Sequence, residues 1–235
     1  MKSKFLSVFI NVTLAAIVLV VGLVGFWGGS AAAGSFKSDN LYYGGAENGN
    51  SVSLTFNVYE GTAIVEQILD ILDEYGAKAT FFIGGAWADD NIDCVREIYR
   101  RGHELGSHGY FHKDHSKMSY DANLEEIRPS IKLLEMICGQ KITLFAPPSG
   151  AFAENTLNAC KDLDLKVIMW SRDTIDWRDK DVNLIVSRAT SDLKAGEIIL
   201  MHPKEQTVKS LPTILNYIRE HGLNAATVSQ NLGEK

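Results

Sequence analysis

The chain has 235 residues, a formal net charge of -6 and a hydrophobic content of 46%. This length is sufficient for one folded domain with a full apolar core, and the composition shows no sign of disorder. The acidic balance argues against nucleic acid as a partner, because nucleic-acid binding requires a basic face. A neutral or cationic ligand is easier to accommodate.

Residues 1–34 have the pattern of an export segment. Lys2 and Lys4 precede an almost uninterrupted apolar run from Phe5 to Trp27, and the small residues Ala31-Ala32-Ala33 follow. This order predicts a cleaved signal peptide, while the length of the run equally allows a single retained membrane-anchoring helix. In both cases we expect the remainder to be extracytoplasmic, secreted or anchored, because the lysines stay on the cytoplasmic side.

Residues 35–51 are rich in Gly, Ser and Asn, which predicts a linker, and residues 52–235 are predicted to form the folded domain. Within this domain, β-rich runs alternate with segments long enough for a helix, and the runs are Ser53–Asn57, Lys78–Ile83, Glu104–Ser107, Ile142–Ala146, Lys166–Trp170, Glu197–Met201 and Leu223–Val228. This alternation predicts an α/β fold with a parallel sheet curled into a barrel. An open doubly wound sheet is the alternative.

The three cysteines, Cys94, Cys138 and Cys160, include no C-x-x-C pair. They therefore indicate neither a disulfide framework nor a thiolate zinc site, and we expect them to fill the core. A single bridge is the alternative.

Several chemically distinctive residues fall at the predicted ends of strands. Asn57 follows the first strand, His108 the third, Pro147 the fourth, Trp170 the fifth and His202 the sixth. In a parallel barrel these ends share one rim, where reactive groups collect. His112 lies four residues after His108, and two imidazoles at this spacing can bind one divalent ion.

The ordered motifs of the chain resemble the polysaccharide deacetylase family, which contains the NodB homology domain and is carbohydrate esterase family 4. The motifs are Leu54–Gly61, Ala79–Phe82, Gly102–Glu104 with the two histidines, Phe145–Gly150, Asp176–Trp177 and Ile198–His202. The first motif is most similar to that of the sporulation-associated branch.

The resemblance implies a distorted (β/α)7 barrel of the NodB type that acts as a monomer on amino-sugar polysaccharide, either peptidoglycan or a chitin-like glycan. It also implies one divalent metal, zinc in the first place with cobalt, nickel or manganese as alternatives. Metal-activated water would then hydrolyse N-acetyl groups.

The first family motif is Thr-Phe-Asp-Asp, in which one aspartate is the catalytic base and the next is a metal ligand beside two histidines. Asn57 stands at the place of the base, and its neutral amide cannot accept a proton from water. Direct alignment places Val58 at the ligand position, whereas a short bulge would bring in Glu60. The resemblance thus predicts a metal site of His108, His112 and Glu60.

The remaining motifs imply further roles. Pro147 and Pro148 would form a wall of the substrate groove, Asp176 would orient a histidine, Trp177 would line the acetyl pocket, and His202 would protonate the leaving amine.

Ala146 replaces the family arginine that holds the catalytic aspartate, so this loss accompanies that of the base at Asn57. Glu60, Asp173 or Asp176 would have to substitute as base. Of the other histidines nearby, we expect His103 to be structural and His115 to lie at the surface.

Two functions follow from these residues. The first is a metal-dependent deacetylase with a degenerate base position, favoured by His108, His112 and His202. The alternative is a catalytically reduced glycan-binding or sporulation and cell-wall morphogenesis protein on the same fold, favoured by Asn57 and Ala146. A hydrolase acting on another amide or ester would use the same residues.

Overall fold

The computed structural model describes residues 38–233. Their sheet contains β1 (Leu41–Tyr42), β2 (Ser51–Val58), β3 (Thr80–Ile83), β4 (Glu104–Ser107), β5 (Leu144–Phe145), β6 (Lys166–Ile168), β7 (Arg172–Asp173), β8 (Ile198–Met201) and β9 (Asn224–Ala226). The strand order is β1-β6-β5-β4-β3-β2-β8-β7, and β9 pairs with the first residues of β2. All ladders between these strands are parallel.

Helices fill the connections between the strands. They are α1 (Thr62–Glu74), α2 (Gly85–Asp90), α3 (Ile92–Arg100), α4 (Tyr120–Cys138), α5 (Glu154–Asp162), α6 (Val182–Thr190), α7 (Glu205–Glu220) and α8 (Val228–Asn231), with short 3-10 helices at His115–Lys117 and Pro148–Gly150. None of the helices in the described range is long and apolar enough to cross a membrane.

The predicted parallel α/β architecture is confirmed as a half-barrel. Strands β2 to β6 succeed one another in a single direction, whereas a doubly wound sheet reverses its order at a switch point. The seven predicted strands correspond to β2, β3, β4, β5, β6, β8 and β9. The predicted signal or anchor helix of residues 1–34 lies outside the described residues.

The segment predicted as a linker is partly folded. The compact body begins at Ser38, and Leu41–Tyr42 pair in parallel with Val167–Ile168. The Asn40 side chain donates to the carbonyls of Leu157 and Leu165, at 3.2 and 3.3 Å. These contacts are made by backbone groups and by the side-chain amide of Asn40, so the sequence shows no apolar periodicity here. The domain boundary predicted at residue 52 therefore lies too late in the chain.

Apolar side chains pack on both faces of the sheet. Val52, Leu54, Phe56 and Val58 belong to the larger cluster, which includes buried residues of α1, α3, α4 and α7. The smaller cluster fills the barrel interior with Phe82, Leu144, Ala146, Ile168, Ile198 and Val228. Because side chains alternate along a strand, Asn57 faces the interior at the end of β2, and Val58 faces the helices.

The barrel interior is narrow at Gly106. A Cβ atom at this position would lie 2.5 Å from the ring of Phe82 and 3.2 Å from Cβ of Leu144. Glycine therefore allows β4 to approach its neighbours closely, and the strand ends converge on a small rim.

Candidate functional site

A cleft of about 370 Å³ opens at the carboxyl ends of the strands. Its lining residues are Asn57, Tyr59, His108, His112, Ser149, Trp170, Asp173, Trp177, Leu200 and His202. A larger cavity of about 520 Å³, which includes Gly44, Lys194 and Glu197 in its lining, contains none of the predicted site residues. The predicted convergence of Asn57, His108, Trp170 and His202 on one rim is therefore observed.

His108 follows β4 directly and is buried at the base of the cleft. Its Nδ1 lies 2.7 Å from the carbonyl oxygen of Ala146, and because a carbonyl only accepts, Nδ1 must donate. Nε2 is consequently the unprotonated nitrogen of the neutral ring. Burial, with a smaller contribution from His112, lowers the pKa of His108 to about 3.

His112 is less buried than His108 and has a left-handed backbone, with φ of 55°. The centroids of the two imidazole rings are 5.1 Å apart. Burial lowers the pKa of His112. The spacing of the two histidines in the sequence thus brings two neutral imidazoles to one side of the cleft.

Glu126 of α4 supports the loop that carries His112, which the sequence reasoning did not anticipate. Its buried carboxylate accepts a hydrogen bond from the backbone N–H of Phe111 and lies 3.6 Å from Nζ of Lys113. The sequence around Glu126 does not indicate this role, because its partner is a backbone group in a loop that precedes α4, and Glu126 lies fourteen residues beyond His112.

The position of the predicted third metal ligand is apolar. Strand β2 remains paired with β3 through Val58, whose partner is Ile83, so no bulge shifts the register. Val58 is fully buried in the larger apolar cluster. The Glu60 carboxylate points elsewhere, to the ammonium of Lys204. The structure therefore does not bring Glu60 to His108 and His112.

The predicted donor set of His108, His112 and Glu60 does not fit a catalytic divalent metal centre. Such a centre needs about three protein ligands, and of the predicted set only His108 and His112 lie together, with ring centroids 5.1 Å apart. Among residues 38–233, no three His, Cys, Asp or Glu side chains lie close enough to hold an ion. The metal site expected from the family resemblance is thus incomplete in its donor set.

His202 follows β8 and is held by Asp176, the residue that the family resemblance implies orients a histidine. The fully buried Asp176 carboxylate accepts from Nδ1 of His202 at 2.8 Å, from its backbone N–H at 2.7 Å and from the Thr207 hydroxyl at 2.6 Å. With Nδ1 acting as donor to the carboxylate, Nε2 of His202 is the free ring nitrogen at the cleft. Asp176 is committed to these three donors, which leaves it poorly placed to serve as a substitute base.

A strained turn after β7 presents Trp177 to the cleft. Ile175 adopts φ of 55°, which a β-branched residue rarely does, and its N–H donates to Oδ1 of Asp173 at 2.8 Å. Trp177 is 52% exposed, and the guanidinium of Arg178 lies 5.7 Å from the centre of its ring. Asp173 thus lines the cleft while one of its oxygens holds the turn.

In the turn after β5, the residue that lines the cleft is Ser149 rather than the predicted Pro147 or Pro148. Pro147 and Pro148 are buried, and the neighbouring Ser149 lines the cleft in a left-handed conformation with φ of 56°. Ala146 is also buried, and its carbonyl accepts from His108. The prolines therefore shape the turn, while Ser149 provides its surface.

His115 is buried rather than at the surface, contrary to the prediction. Its Nδ1 is 2.7 Å from Oδ1 of Asn123, whose Nδ2 donates to two carbonyls, so Oδ1 is the acceptor. Burial lowers the pKa of His115. The ring packs edge-on against Phe145, with centroids 5.1 Å apart, and serves the core.

Cys94, Cys138 and Cys160 are free thiols, and no bridge joins them. Cys94 and Cys160 are buried, and burial raises the pKa of the Cys94 thiol to about 11. Their expected role as core residues agrees with this placement, although Cys138 is only partly buried.

Comparison with known proteins identifies relatives of the chain. It is 33% identical over 200 residues to the uncharacterized protein YlxY of Bacillus subtilis, covering 85% of this chain and 62% of that protein. It is 30% identical over 194 residues to a peptidoglycan-N-acetylglucosamine deacetylase of Bacillus cereus, covering 80% of this chain and 91% of the relative.

Among solved structures, a wild-type CE4 family pseudoenzyme from Bacillus anthracis superposes with a TM-score of 0.80 at 32% identity, covering 83% of this chain and 70% of the other. A mutant of that pseudoenzyme with restored enzymatic activity has the same TM-score at 30% identity. The family model described as polysaccharide deacetylase matches residues 44–168. The chain therefore belongs to the polysaccharide deacetylase family.

Proposed function

We propose that this protein binds N-acetylated amino-sugar polysaccharide in the cleft without removing the acetyl groups. The observation that carries the proposal is the fully buried Val58, which stands where the family has a carboxylate ligand. Without that carboxylate, the two imidazoles lack a third donor for a catalytic metal.

The base is absent from the same place. Asn57 lines the cleft with a neutral amide, which can donate to a carbonyl or accept from an N–H but cannot activate water. Loss of a general base alone reduces a rate by about a hundredfold to ten-thousandfold. Loss of the base together with a metal ligand supports binding rather than turnover.

The cleft retains the features of a ligand site. It combines aromatic side chains with a few polar groups that can orient a ligand, among them Asn57 and His202. The Bacillus cereus relative is named for action on peptidoglycan N-acetylglucosamine, and the Bacillus anthracis neighbour is described as a pseudoenzyme. The name of the Bacillus cereus relative supports the class of ligand, and the description of the Bacillus anthracis neighbour supports loss of activity.

The test combines binding and turnover on the full chain. We expect calorimetric titration with the tetramer of N-acetylglucosamine to show saturable binding, which Trp177→Ala weakens, while no acetate is released with or without added zinc. Elemental analysis is expected to find less than one zinc per chain. Acetate release by the parent protein, lost in His202→Ala, would overturn the proposal.

Asn57→Asp provides a matched test of the metal site. This change supplies a carboxylate at the place of the base but none at Val58, so we expect no acetate release from the variant in the presence of zinc. Release by Asn57→Asp would refute the reasoning that the missing carboxylate at Val58 prevents a catalytic metal site, and the binding-only proposal would then rest on Asn57 alone.

A metal-dependent deacetylase is the second candidate function. One observation favours it: the pair of His202 and Asp176 is complete, with Nε2 free to take up a proton and, in the protonated ring, to pass it to a leaving amine. In that case a divalent metal would supply activated water. The acetate assay with zinc separates the two candidates directly.

We further propose that the folded body acts outside the cytoplasm, next to the cell wall. The basic and apolar pattern of residues 1–34 supports this location. Protease added to intact protoplasts is expected to digest the folded body. Digestion only after lysis would contradict an extracytoplasmic location.

A further inference from the structure

Exposed aromatic side chains are concentrated around the cleft. Seven large apolar side chains are exposed among the described residues, and three of them lie on the loops that follow β2, β4 and β7: Tyr59 at 38%, Phe111 at 63% and Trp177 at 52%. Exposed apolar surface that collects at one place marks a binding surface. Tyr59 and Trp177 line the cleft itself.

Tyr59 is held in place by the two histidines. Its ring centroid lies 4.3 Å from that of His112, at an interplanar angle of 45°, and 6.3 Å from that of His108, at 25°. Tyr59 also packs closely against Gly84. A Cβ atom added at Gly84 would lie 3.4 Å from Cβ of Tyr59. The imidazoles therefore support the ring, while its exposed part faces the cleft.

This arrangement gives the histidines a role that does not require a metal. An aromatic ring offers a flat apolar face, and the C–H face of a pyranose ring is also flat and apolar, so the two bury apolar area when they stack. The cleft volume of about 370 Å³ is near the lower end of the range for small-ligand sites, about 300 to 1,000 Å³. It suits a single sugar residue better than a longer segment.

We propose that Tyr59, supported by His112, is a sugar-stacking wall that together with Trp177 holds one N-acetylhexosamine residue of the glycan. This inference rests on the proposed glycan-binding function and specifies how the cleft binds. His112 then acts in binding through ring packing, as a positioning residue for Tyr59.

The experiment measures affinity for the N-acetylglucosamine tetramer by calorimetry, using the full chain in buffer with EDTA. We expect Tyr59→Ala to weaken binding by about tenfold or more, as is typical for an aromatic anchor, and Tyr59→Phe to retain the affinity within about threefold. Tyr99→Ala is the matched control, because Tyr99 is also 38% exposed but lies on α3 outside the cleft lining. Its affinity is expected to equal that of the parent.

Two further measurements address His112. His112→Phe keeps an aromatic ring but removes the nitrogen donors, so we expect it to bind the tetramer nearly as well as the parent, whereas His112→Ala binds more weakly. EDTA is expected to leave the parent affinity unchanged. Loss of binding on EDTA treatment, or equal loss in His112→Phe and His112→Ala, would overturn the inference in favour of a bound metal.

The failure of this inference is distinguishable from that of the proposed function. If the parent binds the tetramer and Trp177→Ala weakens binding while Tyr59→Ala does not, the stacking wall is refuted and glycan binding stands. If the parent does not bind the tetramer, both fail. Thermal unfolding monitored by circular dichroism verifies that each variant is folded.

Discussion

Replacing Asp176 with alanine is expected to destabilise the fold strongly. The carboxylate is fully buried and accepts three hydrogen bonds, two from His202 and one from Thr207. A hydrogen bond to a charged group is worth about 1.5–3 kcal/mol, but removal of the buried carboxylate also relieves its desolvation cost. We therefore expect a net loss of about 3–5 kcal/mol, the range found when one partner of a buried polar pair is removed.

Thr207→Val and Asp176→Asn are the companion variants. Thr207→Val removes a single hydrogen bond and is expected to cost about 1–2 kcal/mol. Asp176→Asn can be accommodated if His202 exchanges its proton from Nδ1 to Nε2, since the new amide then donates to Nδ1. Nitrogen NMR of His202 is expected to show this change of tautomer.

Equilibrium unfolding in guanidinium chloride, followed by circular dichroism, measures the free energies of unfolding. A loss below about 1 kcal/mol in Asp176→Ala would refute the reasoning, because three buried donors without an acceptor cannot cost so little. A neutral His202 ring that carries its proton on Nε2 in the parent protein would refute the assignment of Nδ1 as the donor.

Three further predictions concern stability. Burial holds the pKa of His103 at about 4 and that of His108 at about 3 in the folded chain, below the ordinary value of about 6.5, so the unfolded chain takes up protons first as the pH falls. Stability is therefore complete above about pH 6.5 and declines as the pH falls towards 4 for His103 and 3 for His108, by up to about 1.4 kcal/mol per pH unit for each histidine. Equal urea midpoints at pH 7 and pH 5 would contradict this prediction. Gly106→Ala forces a Cβ atom to within 2.5 Å of the Phe82 ring and is expected to cost about 1–3 kcal/mol by the same unfolding assay. Asn40→Ala removes the amide that donates to the carbonyls of Leu157 and Leu165 and is expected to increase hydrogen exchange across residues 38–46. An unchanged exchange rate would show that the amide does not hold this segment.

Most of the fold was predictable because each of seven strands is a short run of β-rich residues separated from the next by a helical segment. The parallel order and the convergence of strand ends follow from that alternation. Strands β1 and β7 contain two residues each and, unlike the equally short β5, do not lie within a longer β-rich run, so the sequence does not predict them. Their positions depend on pairing with β6 and β8, which follow much later in the chain, so neighbouring residues do not reveal the pairing.

The site was predictable in part. Asn57 lies at the end of β2, and His108 and His202 directly follow β4 and β8, so their common rim could be deduced from topology. Tyr59 and Ser149 line the same cleft but were not recognised, because an aromatic residue or a serine in a loop carries no local signal of its neighbours. A role for Glu60 as metal ligand requires a bulge in β2. The continuous pairing of β2 with β3 up to Val58 and Ile83 excludes that bulge.

The sequence by itself determined the family, the parallel α/β architecture and the replacement of the catalytic aspartate by Asn57, since these depend on residue identity and spacing. Only the tertiary structure decided which face of β2 each side chain occupies and therefore that Val58 enters the apolar core. It also decided that Glu60 pairs with Lys204 and that Tyr59 packs against the two histidines. Such contacts join residues distant in sequence, and their distances are set by how the strands and their loops assemble rather than by any local pattern.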